Sequence, residues 1–258
     1  MALTLVEGIG LGALQGLTEF LPISSSGHLV LARALFGIQE APVALEVLLH
    51  AGSLAAILVY FRREIVSLAR TRRHLIPVLL VGTLPAAAIG IPLKGRMEVL
   101  FESPVAAAVG LLVTGVVLLV SERLAVGERP LDSVRLSDGF WVGVAQAIAL
   151  APGVSRSGMT VGASLASGLE RGAAVAFAFL LGMVAIGGAS LLKLREVASF
   201  ASASPWPMVG GFAASLAVSL GALSFLSLVV RRKCLSFFAL YCFFVGAAVL
   251  LAKLAGVW

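Results

Sequence analysis

Two segments of the sequence combine hydroxyl, charged and glycine residues in the same order, inside otherwise apolar sequence. Residues 12–28 read GALQGLTEFLPISSSGH, and residues 143–160 read GVAQAIALAPGVSRSGMT. Gln15 and Gln146 are 131 residues apart, close to half of the 258-residue chain. Irregular polar backbone inside a membrane is tolerated only where protein buries it or where it lines a cavity. The repeat therefore predicts a buried polar site built from both halves of the chain.

In the first copy, Glu19 is the residue best suited to acid–base chemistry. A carboxylate inside an apolar segment is costly, and such a residue is functional when it lies deep in the membrane. Gln15 lies one helical turn earlier on the same face, so the two side chains can share a proton, a water molecule or a divalent cation. The structural alternative places Glu19 near the membrane surface, where it only pairs with a neighbouring cation.

Pro22 ends the first helix of this copy, and Ser24, Ser25 and Ser26 stand where the next helix begins. Serines at that position cap helices, which is the structural interpretation. A helix start also binds anions through its free N–H groups. Ser24 and Ser26 are then candidate phosphate contacts, and one hydroxyl could be a nucleophile. His28 follows Ser25 by three positions on the same face. It is a candidate general acid–base or phosphate contact, with a hydrogen-bonded core histidine as the alternative.

In the second copy, Arg156 carries a permanent charge at a turn before a helix. A guanidinium at membrane depth needs an anionic partner. That partner is either Glu19, in a structural ion pair, or a phosphate group held by two parallel hydrogen bonds. Ser155, Ser157 and Thr160 add hydroxyls that could bind the same anion.

Further polar residues are less distinctive. Glu46 and His50 lie four apart on one helix face and could line the same cavity, although a pair at the membrane surface explains them equally well. Cys234 and Cys242 have no metal-binding spacing and are expected to pack. The sequence contains neither a P-loop nor an HExxH motif, so nucleotide hydrolysis and zinc chemistry are not indicated.

The composition of the chain indicates which kind of structural element positions these residues. The chain is 60% hydrophobic and 12% charged, whereas soluble domains have about 25% charged residues. This predicts an all-α, polytopic membrane protein, and the N-terminus lacks the basic region of a signal peptide. Runs long enough to span a bilayer are predicted at about 42–61, 75–93, 104–121, 172–192, 206–230 and 235–256.

Segments 3–36 and 138–169 are apolar but broken in the middle by the two motifs. Each is predicted to form a re-entrant helical hairpin, because each of its helices is too short to span comfortably. Each half of the chain is then one hairpin plus three transmembrane helices, which makes an inverted-topology repeat. We expect a single membrane domain over 1–258, with repeat 1 at about 1–121, a linker at 122–137 and repeat 2 at about 138–258.

The distribution of basic residues predicts the orientation. The net charge is +6, but Lys and Arg lie between apolar runs, as topology signals do, so a nucleic-acid partner is not expected. One set of loops holds twelve of the 19 Lys and Arg residues and the other holds six. The richer side is expected to be cytoplasmic, which places both termini outside and lets the first hairpin enter from the outer side.

The two motifs resemble those of the undecaprenyl-diphosphate phosphatases of the bacterial bacitracin-resistance type. Gln15 and Glu19 match that family's (E/Q)xxxE motif, and residues 20–28 match F-L-P-x-S-S-[ST]-G-H. Residues 152–160 match P-G-x-S-R-S-x-x-T at every fixed position. The resemblance extends over the full chain in length, motif order and repeat plan.

The resemblance implies a multi-pass enzyme of the bacterial plasma membrane that removes the terminal phosphate from a C55 polyprenyl diphosphate. The product is the monophosphate carrier lipid of cell-wall synthesis, and the site opens to the outside. By matching positions, Glu19, Ser25 and His28 are catalytic and Arg156 binds the substrate phosphate. A divalent cation, Mg²⁺ or Ca²⁺, is implied, with Glu19 and Gln15 as its ligands.

Two positions depart from the family pattern, and other functions stay open. Position 15 is Gln where many members have Glu, and position 50 is His where Gln is expected.

The implied partners are the lipid substrate and the bilayer, with a homodimer as an open alternative to a monomer. Inverted repeats with broken helices are also the plan of transporters, so a transporter or flippase for a polyprenyl phosphate lipid is the main alternative. A purely structural membrane protein is the third.

Overall fold

The computed structural model describes residues 4–36, 43–192 and 205–256, and its regular elements are helices. In chain order they are α1 (Leu5–Phe20), α2 (Ser25–Phe36), α3 (Val43–Tyr60), α4 (Arg62–Arg70), α5 (Leu75–Leu100), α6 (Pro104–Leu124), a 3₁₀ turn (Leu131–Ser133), α7 (Leu136–Ile148), α8 (Arg156–Ala166), α9 (Arg171–Leu192), α10 (Pro205–Arg231) and α11 (Leu235–Leu254). The predicted all-α fold is confirmed.

Five of these helices contain a stretch long and apolar enough to cross a membrane. The stretches are Leu75–Leu93, Pro104–Leu124, Arg171–Leu191, Pro205–Arg231 and Leu235–Leu254. The sixth predicted span corresponds to α3, whose apolar described part, Val47–Tyr60, is shorter. The chain is therefore a polytopic membrane protein, and each of the five spans lies where the hydrophobic runs predicted it.

Both motif segments are broken into two short helices. α1 and α2 contain 16 and 12 residues, and α7 and α8 contain 13 and 11. At 1.5 Å per residue these helices are roughly 16 to 24 Å long, short of the bilayer core. The two turns are in contact, because a β carbon on Gly27 would lie 2.8 Å from the Cα of Gly153. The expected meeting of the two turns is thus confirmed.

The first helix of each half packs against a long helix of the other half. A β carbon on Gly12 of α1 would lie 2.2 Å from the carbonyl oxygen of Gly211 in α10. A β carbon on Gly143 of α7 would likewise lie 2.2 Å from the carbonyl oxygen of Gly82 in α5. Small residues let helix backbones approach this closely in membranes. The α1–α10 and α7–α5 contacts are therefore equivalent in the two halves. The inverted orientation of the halves stays a prediction.

α9 completes the frame around the turns. α9 is the most buried of the long helices, with Phe177, Leu180 and Leu181 in the core, and it packs against α3 and α8.

α4 was not predicted, because the segment that contains its arginines was interpreted as a loop. It is an amphipathic helix, in which Leu68 is buried while the arginines stay exposed.

Candidate active site

Glu19 lies in the last turn of α1 and is the centre of a polar cluster. Only 8% of the residue is exposed. Its Oε2 accepts hydrogen bonds from Gln15 Nε2 at 3.0 Å and from Ser25 Oγ at 3.1 Å, and its Oε1 pairs with Arg156. These donors come from α1, α2 and α8. A buried carboxylate needs such partners, because its desolvation is otherwise prohibitive.

Arg156 is the first residue of α8, and its guanidinium crosses to the other half of the chain. Of the two partners predicted for it, the structure shows Glu19. Nη1 also lies 3.5 Å from the carbonyl oxygen of Gly182 in α9. The side chain remains 24% exposed, against 7% for that of Glu19. A guanidinium has five N–H donors, so Arg156 keeps donors for an incoming anion.

Ser25 is the first residue of α2, and the turn before it holds its hydroxyl against Glu19. Ser24 has φ = +67°, in the left-handed region that non-glycine residues seldom occupy. The Ser24 hydroxyl accepts a hydrogen bond from the N–H of Gly27 at 3.2 Å and lies 3.2 Å from the Ser26 hydroxyl. The Ser24 hydroxyl therefore caps α2, with the Ser26 hydroxyl beside it, and Ser25 is left to face the carboxylate.

His28 is held by two contacts that the sequence did not predict. Its Nδ1 lies 2.8 Å from the carbonyl oxygen of Ser24, and its Nε2 lies 2.7 Å from the hydroxyl of Tyr241 in α11. A carbonyl only accepts, so Nδ1 carries the proton, and Nε2 of the neutral ring accepts from Tyr241. The two rings also stack, with centroids 5.6 Å apart. Ser25 thus contacts Glu19 and not His28, and the role of His28 stays a prediction.

The second turn repeats the hydrogen bonds of the first. The Ser155 hydroxyl accepts from the N–H of Gly158 at 3.2 Å and lies 3.1 Å from the Ser157 hydroxyl. Ser157 also donates to the carbonyl of Leu21 at 3.1 Å, which joins the two turns, and Thr160 donates to the carbonyl of Arg156. The serines and Thr160 are buried and engaged with protein. Their binding of phosphate stays a prediction.

Of the two predicted cavity residues, the structure describes the side chain of His50. Its Nε2 lies 3.8 Å from Glu19 Oε2, so it borders the cluster. The side chain of Glu46 lies outside the described residues.

Sequence reasoning missed Tyr241 and Thr114. Thr114 accepts from the N–H of Ser155 and thereby fixes the second turn. The sequence signal that could have identified these two residues is a hydroxyl inside an apolar run, because a buried hydroxyl normally forms a hydrogen bond.

The oxygens of Glu19 and Gln15 can be tested as ligands for a hard divalent cation. Among the described residues, no group of three or more His, Cys, Asp or Glu side chains could hold a metal ion. The Gln15 amide end is 3.0 Å from Glu19 Oε2, and a flip of the amide would exchange its nitrogen for its oxygen. That spacing equals roughly the edge of a Mg²⁺ octahedron with 2.1 Å bonds. This spacing is compatible with two ligands of one cation whose shell is completed by phosphate oxygens, and the cation stays a prediction.

The chain is similar to known proteins over nearly its whole length. The profile of the family described as "Bacitracin resistance protein BacA" matches residues 8–248. The chain is 37% identical over 255 residues to the undecaprenyl-diphosphatase of Carboxydothermus hydrogenoformans, covering 97% of this chain and 98% of the relative. It is 40% identical over 253 residues to the undecaprenyl-diphosphatase of Rhodopirellula baltica, with the same coverage.

The match extends through both motifs, both turns and all five apolar spans, except for the last residues of α11. Similarity over nearly the whole length, at this level of identity, shows common ancestry of the complete membrane domain and not of one motif alone. The chain therefore belongs to the bacitracin resistance protein BacA family.

Proposed function

We propose that the chain is an undecaprenyl-diphosphatase, an integral membrane enzyme that releases inorganic phosphate from undecaprenyl diphosphate and returns undecaprenyl phosphate to cell-wall synthesis. The carrying observation is that Glu19 joins Ser25 of the first turn to Arg156 of the second. Through Glu19, these contacts bring together a hydroxyl that can act as nucleophile, a carboxylate that can accept its proton and a guanidinium that can stabilise phosphate charge. The names of the relatives describe a phosphatase, so a transporter is not favoured.

Arg156 is the residue that receives the terminal phosphate. Its guanidinium binds phosphate oxygens bidentately, and it stabilises the charge that spreads over them in the transition state. The phosphate competes with Glu19 for Arg156. Substrate binding therefore loosens the ion pair and makes the Glu19 carboxylate a better proton acceptor for Ser25.

Ser25 is the proposed nucleophile. Its Oγ attacks the terminal phosphorus, the bond from that phosphorus to the bridging oxygen breaks, and Glu19 carries the Ser25 proton to the departing monophosphate. Water then attacks the phosphoserine, and Glu19 carries a proton of that water to Ser25 Oγ as phosphate leaves. The 3.1 Å hydrogen bond from Ser25 to Glu19 supports this order. Attack by a water activated by Glu19 is the alternative.

Gln15 and Glu19 would hold the proposed Mg²⁺ or Ca²⁺. The cation would supply charge neutralisation for the diphosphate. Chelation with EDTA should then lower phosphate release, and added Mg²⁺ or Ca²⁺ should restore it. Equal rates with and without EDTA would remove the cation from the proposal.

The proposed location is the bacterial inner membrane, with the site open to the outer side and both termini outside. The excess of Lys and Arg in one set of loops supports this orientation. Tags at each terminus, probed from outside intact cells, test it, and a cytoplasmic tag would overturn it. A homodimer stays a prediction.

The phosphatase proposal is tested with purified protein in detergent. We expect release of inorganic phosphate from undecaprenyl diphosphate without any membrane gradient, and loss of release in Arg156→Ala. Arg70→Ala changes an exposed arginine of α4 and serves as the matched control. If the intact protein releases no phosphate in the presence of Mg²⁺ or Ca²⁺, the phosphatase proposal is wrong. Lipid movement by the same protein in vesicles would then favour the transporter.

A further inference from the structure

A pocket of about 400 Å³ lies at the junction of α3 with α4, beside the start of α9 and the end of α10. We call it the arginine pocket. The charged side chains that line it are Arg62, Arg63, Glu64, Arg171 and Arg231. Four cations against one carboxylate give the pocket a strong preference for an anion.

Two of these arginines are available to a ligand. Arg171 is already engaged, because it donates to the carbonyl of Val230 at 2.9 Å and lies 3.6 Å from Glu122. By contrast, the guanidinium groups of Arg63 and Arg231 make no hydrogen bond or ion pair with any residue in the described part of the chain. The pocket therefore contains guanidinium donors that the fold itself does not use.

Arg231 also lies beside the first turn of α9. Its Nη2 would be 3.8 Å from a β carbon placed on Gly172. The first N–H groups of a helix have no carbonyl partner within it, and they carry the positive end of the helix dipole. Because the guanidinium and these N–H groups line one pocket and repel each other, an anion between them would satisfy both.

The arginine pocket is separate from the Glu19 cluster. Phe61 lines the pocket and lies 6.0 Å from Phe179, and Phe179 lies 5.4 Å from Phe20, measured between ring centroids. Phe20 follows Glu19 directly in α1. All three rings are at least 95% buried, so they form an apolar layer between the pocket and the candidate active site.

We propose that the arginine pocket is a second phosphate-binding site, distinct from the one at Arg156. The ligand is a phosphate group, carried either by an anionic lipid or by free inorganic phosphate. Basic pockets between membrane helices bind lipid headgroups by the same chemistry, and guanidinium groups match phosphate oxygens geometrically. This site does not depend on the proposed phosphatase activity.

The test compares two adjacent arginines. Arg231→Gln removes the lining guanidinium, while Arg232→Gln removes an equal charge from the next residue, which does not line the pocket. Delipidated protein in detergent is titrated with phosphatidylglycerol, and bound lipid is counted by native mass spectrometry. Diacylglycerol with the same acyl chains is the control lipid. A parallel titration uses inorganic phosphate alone and in competition with phosphatidylglycerol.

We expect Arg231→Gln to weaken phosphatidylglycerol or phosphate binding by roughly tenfold or more, the effect of losing hydrogen bonds to a charged group. Arg232→Gln should bind as wild type does, and both variants should keep the wild-type rate of phosphate release. Competition between the two probes would assign the site to phosphate from either source. Binding of only one probe would assign the site to that source. Equal effects of the two variants, or equal binding of diacylglycerol, would overturn the proposal.

Discussion

The Ser157 hydroxyl donates a hydrogen bond of 3.1 Å to the carbonyl oxygen of Leu21 and so ties the second turn of the site to the first. The two residues belong to different halves of the chain. Their contact sets the separation across which Arg156 reaches Glu19. The shape of either turn therefore controls the geometry of the whole cluster.

Gly153→Ala should disrupt this cluster without removing any polar side chain. Gly153 has φ = +81°, and its β carbon would lie 1.9 Å from the carbonyl oxygen of Ala107. The unfavourable φ alone costs about 1–3 kcal/mol, and the clash forces the turn to move. We expect a lower thermal midpoint in detergent and loss of phosphate release.

Gly95→Ala is the matched control, because a β carbon there meets nothing within 4 Å in α5. Alanine is favoured over glycine in a helix by about 0.5–1 kcal/mol, so this variant should unfold at the same or a higher temperature. A Gly153→Ala protein as stable and active as Gly95→Ala would show that the turn tolerates a side chain.

Arg156→Lys should show whether phosphate release depends on the charge of the Arg156 side chain or also on the geometry of its guanidinium donors. Lysine keeps the positive charge beside Glu19 but cannot offer two parallel donors to phosphate. We expect kcat/KM for phosphate release to fall by about 10²-fold or more, as when a transition-state donor is lost. Arg70→Lys, an exposed position of α4, should stay near the wild-type rate. An Arg156→Lys rate near wild type would mean that the charge alone is sufficient.

Ser25→Ala tests the proposed nucleophile against its neighbour. Removal of a nucleophile that acts as a unit with its base costs about 10⁴-fold or more in kcat. Ser26→Ala removes a hydroxyl whose one hydrogen-bond contact among the described residues is with Ser24, and the rate of this variant should differ from wild type by roughly tenfold at most. Trapped phosphoserine in acid-quenched wild type, absent from Ser25→Ala, would identify the intermediate. A Ser25→Ala rate within tenfold of wild type would favour an activated water.

Tyr241→Phe should reveal whether the position of His28 matters for the reaction. The variant keeps the stacked ring but loses the 2.7 Å contact with Nε2. The predicted acid–base or phosphate-contact role of His28 depends on the position of its ring, so losing a bond worth about 1 kcal/mol should lower kcat roughly fivefold. Tyr60→Phe removes the other tyrosine hydroxyl of the chain, which contacts Ser227, and should leave kcat unchanged. Equal rates in both variants would make the Tyr241 contact irrelevant to turnover.

The linker between the halves should contribute stability that depends on pH. Hydrogen bonds from the Arg72 guanidinium hold the pKa of Asp132 below its ordinary value. A lowered folded-state pKa stabilises the fold above the unfolded pKa of about 3.9, and the effect is lost as pH falls through the folded value. The thermal midpoint of wild type should therefore exceed that of Asp132→Asn at neutral pH, and the gap should close in acid.

This gap should be small and should shrink in high salt, because the Asp132 side chain is 53% exposed and water and ions screen the pair. Scanning calorimetry in detergent at a series of pH values measures it. A gap that is constant across the acid range would mean that asparagine acts through packing rather than through the lost charge.

The sequence predicted the parts of the site that obey a local rule. The breaks after Phe20 and Ile148 follow from proline and clustered hydroxyls in apolar sequence, and the need of Arg156 for an anion follows from the cost of a buried charge. The contact between His28 and Tyr241 obeys no such rule. It joins residues 213 positions apart and depends on how α11 packs, which no periodicity in either segment reveals.

The packing of α1 on α10 has a consequence for biosynthesis. α1 is translated well before α10, yet the surface that receives Gly12 belongs to α10, which begins at Pro205. Most of the chain must be translated and inserted before α1 reaches its final neighbour. Until α10 is inserted, the face of α1 that carries Gly12 lacks its final neighbour. Release of the chain before residue 205 would leave the Gly12 face of α1 without this neighbour.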